Sequence, residues 1–250
     1  MRGDGVRSVM RKLLLGLLVA PVLAWAAAGG YRLDRAPIDP TDLLSLQSGA
    51  RTFVNYCLNC HGAQFMRYNR LTDLGLTEAQ IRDNLILTGD KLGDTMKVAM
   101  GVKEGRAMFG VAPPDLSVIG RARGADWLYT YLRTFYRDAK SPTGWNNAMY
   151  ENAAMPHVLW SLQGERGLQI VHVGEPGHAT AEYKWSQLTP GTQNAVQYDT
   201  TVRDLVNFLV YMGEPDAASR KRIGVVVLYV LGILFIFAYA LKREYWKDVK

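Results

Sequence analysis

Cysteine is scarce in this chain: two residues in 250, Cys57 and Cys60, with only four histidines beside them. That scarcity removes most of the chemistry a Cys-x-x-Cys pair invites. A structural zinc ion takes four nitrogen or sulfur ligands, and the sequence has neither a further cysteine nor histidines at a recognisable zinc spacing. A thioredoxin-like dithiol belongs beside a strand in a βαβ pattern, and none surrounds this pair. A disulfide between the two positions would close a loop too small to stabilise much. Internal repeats, low-complexity tracts and a twin arginine are also missing.

What is present is the run Cys57-Leu58-Asn59-Cys60-His61. Two thiols three positions apart can each add to one vinyl group of a haem, and the adjacent imidazole is then held beneath the iron as an axial ligand. One such run implies one covalently attached haem c.

Two long stretches lack charge altogether. Arg2, Arg7, Arg11 and Lys12 precede an uncharged run from Leu13 to Ala28 with an Ala24-Trp25-Ala26 cleavage pattern, so residues 1–28 read as a secretory signal peptide. An uncleaved anchor would export the following domain equally well. The second run, Ile223 to Leu241, holds 19 residues without a charge, which as a helix spans ~28 Å, about the hydrocarbon thickness of a bilayer. It reads as a transmembrane helix, with its basic flank placed at 218–242 and a cytoplasmic tail at 243–250. Basic residues flank it on both sides, so orientation rests on the signal peptide, which puts the domain of residues 29–217 in the periplasm.

The chain carries +6 overall with a pI of about 9.3, yet residues 29–217 hold 18 basic and 20 acidic residues, a balance of −2. The basic excess lies at the membrane segments, and nucleic-acid binding is not implied.

Some 190 residues between the apolar runs suffice for one domain with a real core. Asp42 caps a helix through Leu44, Phe53 and Val54 to the haem motif. Thr77 and Gln80 form a capping-box pattern opening a helix through Ile81 and Leu85. A third helix is expected over Asp126–Tyr136, and a fourth places Val202, Leu205, Val206, Leu209 and Met212 at helical spacing before Gly213 and Pro215. Between them Ser141–Gln197 is poor in helix signals, with Gln169–Val173 as a possible short strand. The expected fold class is all-α: a cytochrome c-like haem domain with long loop insertions, plus one C-terminal transmembrane helix.

A second axial ligand would set the redox behaviour, since Met/His ligation raises the potential and fills both axial positions. Met155 stands out because Pro156 biases it toward an extended backbone that can hold a thioether in place. Met100, Met108 and a histidine remain alternatives. His157, His172 and His178 read as ordinary loop residues.

Taken in order, the haem motif, Ala112-Pro113-Pro114-Asp115-Leu116-Ser117, Arg121-Ala122-Arg123-Gly124, Met155-Pro156 and a closing helix that runs into one membrane span resemble the bacterial cytochrome c1 family. That family supplies the c-type haem subunit of the cytochrome bc1 complex, ubiquinol–cytochrome c reductase. The resemblance covers nearly the whole mature chain. It implies Cys57 and Cys60 as thioether residues, His61 and Met155 as the iron ligands, and Pro114 packed on the histidine side of the haem. It implies Arg123, with Arg121 as fallback, as partner of a haem propionate. Trp127 stands where the family often has tyrosine; its indole N–H donates a hydrogen bond but cannot accept one. Some relatives stiffen the methionine loop with a further disulfide, which packing and hydrogen bonds must replace here. Leu162–Asn194 matches only the short bacterial form and has no assigned role.

The implied function is single-electron relay beside cytochrome b in the bacterial inner membrane, from a Rieske iron–sulfur protein to a c-type cytochrome acceptor, with lipid around the span. The chain would be a non-quinol-binding redox subunit of the reductase, with no catalytic residue of its own. A membrane-anchored monohaem cytochrome c feeding a terminal oxidase or nitric oxide reductase is the alternative, followed by a haem-based gas sensor and by an envelope protein with a structural disulfide. Replacing both Cys57 and Cys60 by alanine is expected to give a chain without covalent haem and with poor accumulation; haem staining of a denaturing gel checks it.

Overall fold

Helix formation begins where a carboxylate can cap it. In the computed structural model, which describes residues 31–173 and 180–248, Asp42 accepts a hydrogen bond from the Ser45 N–H at 3.1 Å and opens α1 (Leu43–Thr52). The expected signal peptide, residues 1–28, lies outside the described residues. Contacts separate Met1–Arg32 from Leu33–Lys250, and the second unit is the one described below. The last turns of α1 widen into a π turn, Phe53–Cys57, that closes with the Leu58 N–H on the Phe53 carbonyl at 3.0 Å. The helix therefore hands the chain directly to the two cysteines.

Beyond the motif come β1 (Ala63–Arg67), a 3₁₀ stretch (Tyr68–Leu74) and α2 (Glu78–Asn84). The expected capping box is present at α2: Thr77 Oγ1 accepts from the Gln80 N–H at 3.2 Å and Gln80 Oε1 accepts from the Thr77 N–H at 2.8 Å. β2 (Thr95–Met96) pairs antiparallel with β1, and α3 (Val102–Phe109), α4 (Ile119–Arg123) and α5 (Ala125–Arg133) follow.

The helix expected over Asp126–Tyr136 ends at Arg133 instead. Thr134 turns its hydroxyl back onto the Thr130 carbonyl at 2.8 Å, which competes with continuation, and the aromatic residues after it enter β3 (Phe135–Arg137), paired with β4 (Trp145–Asn147). β-branched and aromatic side chains favour that pleated surface once a partner strand is available.

After α6 (Trp160–Gln163), the expected short strand Gln169–Val173 proves to be half of a longer one. β5 (Gly164–Val173) pairs antiparallel with β6 (Thr180–Pro190), so the segment 162–194 is mostly a β-hairpin. Helices make the core, and among the described residues the insertions carry three two-stranded sheets.

α7 (Ala195–Gly213) closes the domain. Its start is set by a capping box that the apolar spacing did not reveal, with Asn194 Oδ1 and Gln197 Oε1 each accepting the other's N–H at 3.0 Å. Val202, Leu205, Val206, Leu209 and Met212 are all buried, as their period required. α7 crosses α1 so closely that a Cβ at Gly49 would collide with the Asp204 carbonyl and sit 2.7 Å from Phe208 Cβ. Phe53 and Phe208 meet there with ring centroids 5.7 Å apart. Ser45 Oγ donates to buried Asp204 Oδ1 at 2.7 Å, and Asn207 Nδ2 donates to Ser45 Oγ at 3.0 Å, so hydrogen bonds join the two helices at the crossing, with Asn207 Oδ1 left unpaired.

α8 (Ala217–Tyr245) then leaves the core. Its stretch Ser219–Tyr245, 27 residues with a mean hydropathy of 2.6 in the most apolar window and no buried residue there, is long and apolar enough to cross a membrane. Lys242 and Arg243 fall in its last turn, where cations complement the helix dipole.

Gly49→Ala is expected to lower stability by about 1–3 kcal/mol or more through forced separation of α1 and α7. Gly224→Ala on α8, where a Cβ meets nothing within 4 Å, should leave stability unchanged or raise it. Thermal unfolding of the two variants in detergent checks the contrast.

Candidate cofactor site

The Cys57–His61 turn is held by its own backbone, with the His61 and Cys60 N–H groups on the Cys57 carbonyl at 2.8 and 3.1 Å. His61 Nδ1 lies 2.7 Å from the Pro114 carbonyl oxygen. A carbonyl only accepts, so Nδ1 carries the hydrogen and Nε2 keeps its lone pair. Burial pulls the His61 pKa below the ordinary imidazole value, against the opposing effects of the Pro114 carbonyl and Asp115. The ring is thus a neutral, oriented nitrogen donor.

Pro114 is positioned by a strap that laces its segment to β1. The Leu116 N–H donates to the Gly62 carbonyl at 2.7 Å. Asp115 Oδ2 accepts from the Gln64 N–H at 2.9 Å, and Ser117 Oγ accepts from the Phe65 N–H at 3.0 Å. This gives a physical use to the Pro-Pro-Asp-Leu-Ser run: its acid and hydroxyl bind a strand, and its second proline carbonyl orients the histidine.

No disulfide joins the two cysteines, so both sulfurs are available for other bonds. Burial, with the neighbouring Cys60 adding to it, pushes the Cys57 thiol up to about 12, and burial also raises Cys60. They share with His61 and Met155 an apolar crevice walled by Tyr56, Phe109, Val111 and Val158 among others. Apolar walls, two thiols and one tautomer-fixed imidazole suit a flat hydrophobic macrocycle with a metal at its centre. A larger polar cleft of about 1290 Å³ between β6 and the start of α7 holds none of these groups.

The structure sorts the remaining candidates. Pro114 and Met155 line the crevice. Met100 and Met108 line a separate open depression along α3, with Met108 mostly exposed. Arg121, Arg123 and Trp127 are not among the crevice walls: Arg121 lies 3.7 Å from Glu214, and the Arg123 guanidinium sits 4.9 Å over the Trp127 ring. Trp127 in turn stacks on Tyr131 at 4.9 Å.

His157 is not the ordinary loop residue the sequence suggested. It is only 2% exposed, and burial pushes its pKa down to about 4. His178 and the side chain of His172 lie outside the described residues. Two buried asparagines, also missed, hold the loop that leads to Met155. Asn147 Oδ1 accepts from the Met149 and Tyr150 N–H groups at 3.0 Å each while its Nδ2 donates to the Tyr131 carbonyl at 2.8 Å. Asn146 Oδ1 accepts from the Asn152 N–H at 2.8 Å, next to the left-handed backbone of Asn152 at φ 60°. The only sequence signal was the polar pair itself, placed just after Trp145 in a region without helix periodicity.

Paired cysteine sulfurs, a histidine whose second nitrogen is fixed by a backbone carbonyl, and a methionine sharing their apolar crevice are the groups a c-type cytochrome needs to hold its haem. A family model described as "Cytochrome C1 family" matches residues 34–249, and the chain belongs to the cytochrome c1 family. Cytochrome c1 of Allochromatium vinosum is 47% identical over 243 residues, covering 96% of this chain and 100% of that protein. A Nitrosomonas europaea protein named "Ammonia monooxygenase gamma subunit" is 51% identical over 241 residues, covering 96% of this chain and 99% of that one. Among solved structures, a chain of "Hyperthermophilic respiratory Complex III" aligns with a TM-score of 0.44 at 16% identity, covering 97% of this chain and 99% of that chain. As a cytochrome c1, the chain is a membrane-anchored electron-transfer subunit of the cytochrome bc1 complex, and its family carries covalently bound haem c.

Asn147→Ala is expected to destabilise the domain by about 1–3 kcal/mol, since it removes several part-buried hydrogen bonds of the loop and leaves the Tyr131 carbonyl without its Asn147 donor. Asn84→Ala, at an exposed helix end, should stay within about 0.5 kcal/mol of the parent. Thermal unfolding with limited proteolysis of residues 148–154 checks both.

Proposed function

We propose that this chain holds one haem c through thioethers at Cys57 and Cys60, with His61 Nε2 and the Met155 sulfur as its axial ligands. It then relays single electrons from a Rieske iron–sulfur protein to a c-type cytochrome, beside cytochrome b, on the periplasmic side of the bacterial inner membrane. The observation that carries this reading is the His61–Pro114 hydrogen bond of 2.7 Å in a crevice that also contains both cysteines and Met155.

Haem supplies a reversible one-electron couple, and the rest of the work falls to side chains. The Pro114 carbonyl holds the His61 proton on Nδ1 and makes Nε2 a better donor. Met155 lines the crevice, and as a ligand its soft thioether would favour the reduced state and leave no open position for a gas. Tyr56, Phe109, Val111 and Val158 give the crevice an apolar lining, and an apolar surround would favour the less charged state of a bound iron. Arg123 remains the nominee for a propionate, with Trp127 beneath it as an N–H donor, because Arg121 is already engaged by Glu214. The export of residues 29–217 rests on the signal-like residues 1–28, and lipid around α8 rests on its exposed apolar surface.

The name of the Nitrosomonas relative suggests a monooxygenase partner in place of a quinol oxidase. An oxygen-activating role needs an open axial position, which paired His61 and Met155 would not leave. Purification of the full chain from membranes should bring down cytochrome b and a Rieske protein. Recovery with subunits of a monooxygenase, terminal oxidase or nitric oxide reductase instead would sink the assignment. Met155→Leu should retain covalent haem and lower the midpoint potential by about 0.1–0.3 V, a modest part of the span that axial ligands command. Redox titration reads this, and an unchanged potential removes Met155 from the ligand pair.

A further inference from the structure

One residue after Pro156 stands a buried imidazole that the electron-transfer reading leaves unused. Met155, Pro156 and Val158 are only partly buried, but His157 between them is sealed in the core. Its ring stacks on Phe135 of β3 at 5.0 Å with planes 6° apart. The edge of Trp145 from β4 meets it at 5.2 Å, and that of Tyr198 from α7 at 6.4 Å. Its Nε2 lies 2.7 Å from Gln163 Oε1, and Gln163 Nε2 faces the Arg133 carbonyl at 3.4 Å. The amide oxygen therefore accepts and the histidine nitrogen donates. Three separate elements and one hydrogen bond grip a single side chain.

We propose that His157 is a positioning residue for the axial sulfur: gripped by Phe135, Trp145, Tyr198 and Gln163, it fixes the loop that presents Met155 to the crevice. The inference rests on Met155 being the axial ligand. Two Cα steps separate the anchor from the ligand, at most ~7 Å of chain, and the residue between them is a proline with its φ locked. A shift at His157 has no slack in which to be absorbed. On the other side, the nearest buried residue is Ala153, whose methyl group offers little purchase. Histidine suits the place because it combines a flat ring for the aromatic slot with an N–H for Gln163. Phenylalanine supplies the ring without the donor, and leucine supplies neither.

The test uses the full-length, haem-loaded chain in detergent and reads whether the sulfur is on the iron. Carbon monoxide competes with Met155 at the reduced iron, so its apparent affinity reports the sulfur-off population. The sulfur-to-iron charge-transfer band reports the sulfur-on population. Gln163→Leu, which removes one hydrogen bond, is expected to tighten apparent carbon monoxide binding by about two- to tenfold. His157→Phe should match it, and His157→Leu should exceed it, with a weakened charge-transfer band and unchanged covalent haem. Leu85→Ala, a cavity remote from the loop, should lower stability without moving either readout. Parental carbon monoxide affinity and band in His157→Leu would overturn the proposal. If that variant does not accumulate, Gln163→Leu decides by the same criterion. Met155→Leu keeps the two readings apart. If it binds carbon monoxide readily while His157→Leu does not, the positioning role alone fails. If Met155→Leu behaves as the parent, the ligand assignment fails and takes the positioning role with it.

Discussion

The hydrogen bond between His61 Nδ1 and the Pro114 carbonyl is the constraint on which the rest of the site depends. It joins a helix end to a strap 53 residues away and decides which imidazole nitrogen keeps its lone pair. Two consecutive prolines stiffen the strap, and Asp115 and Ser117 fasten it to β1. The histidine is therefore oriented by backbone geometry set outside its own motif. Without that strap the Cys-x-x-Cys-His run would be an attachment signal with a rotating ring.

The methionine side is built differently. No disulfide is available to close the loop, since both cysteines belong to the crevice. Asn146 and Asn147 satisfy the loop's backbone N–H groups from within the β3–β4 hairpin, and aromatic rings enclose His157 beyond it. Polar networks of this kind rigidify when every member is satisfied and are costly when one is lost. The early end of α5 belongs to the same solution: by stopping at Arg133, the chain frees Phe135 to enter β3, where it meets His157.

Where α7 gives way to α8, ion pairs add to the close packing of α4 on α7. Glu214, just past α7, lies 3.7 Å from Arg121 of α4 and 2.5 Å from Arg220 in the first turns of α8. One carboxylate thus links the segment after the strap to the start of the membrane helix. Ion pairs of exposed side chains are worth little singly, so this junction orients the helix start more than it stabilises the domain. It also offsets part of the basic excess at Arg220-Lys221-Arg222.

The Cys-x-x-Cys-His run, the Asp42 and Thr77 caps, the apolar period of α7 and the charge-free run of α8 were all legible in the amino-acid order, because each depends on residues within about one helical turn of one another or on one unbroken stretch. The Pro156 that follows it put Met155 ahead of Met100 and Met108, and family resemblance strengthened that choice and added Pro114, which no local pattern singles out from other prolines. The β5–β6 hairpin was half visible, through one of its strands, because a strand's length depends on the partner it pairs with. What only the tertiary structure decided is which carbonyl takes the His61 proton, which methionine shares the crevice with the cysteines, and that His157 lies in the core while Met108 lies outside it. Those outcomes turn on contacts between residues far apart in the chain, where burial and ring stacking depend on how the helices cross and the hairpins fold back, and sequence spacing carries no record of that.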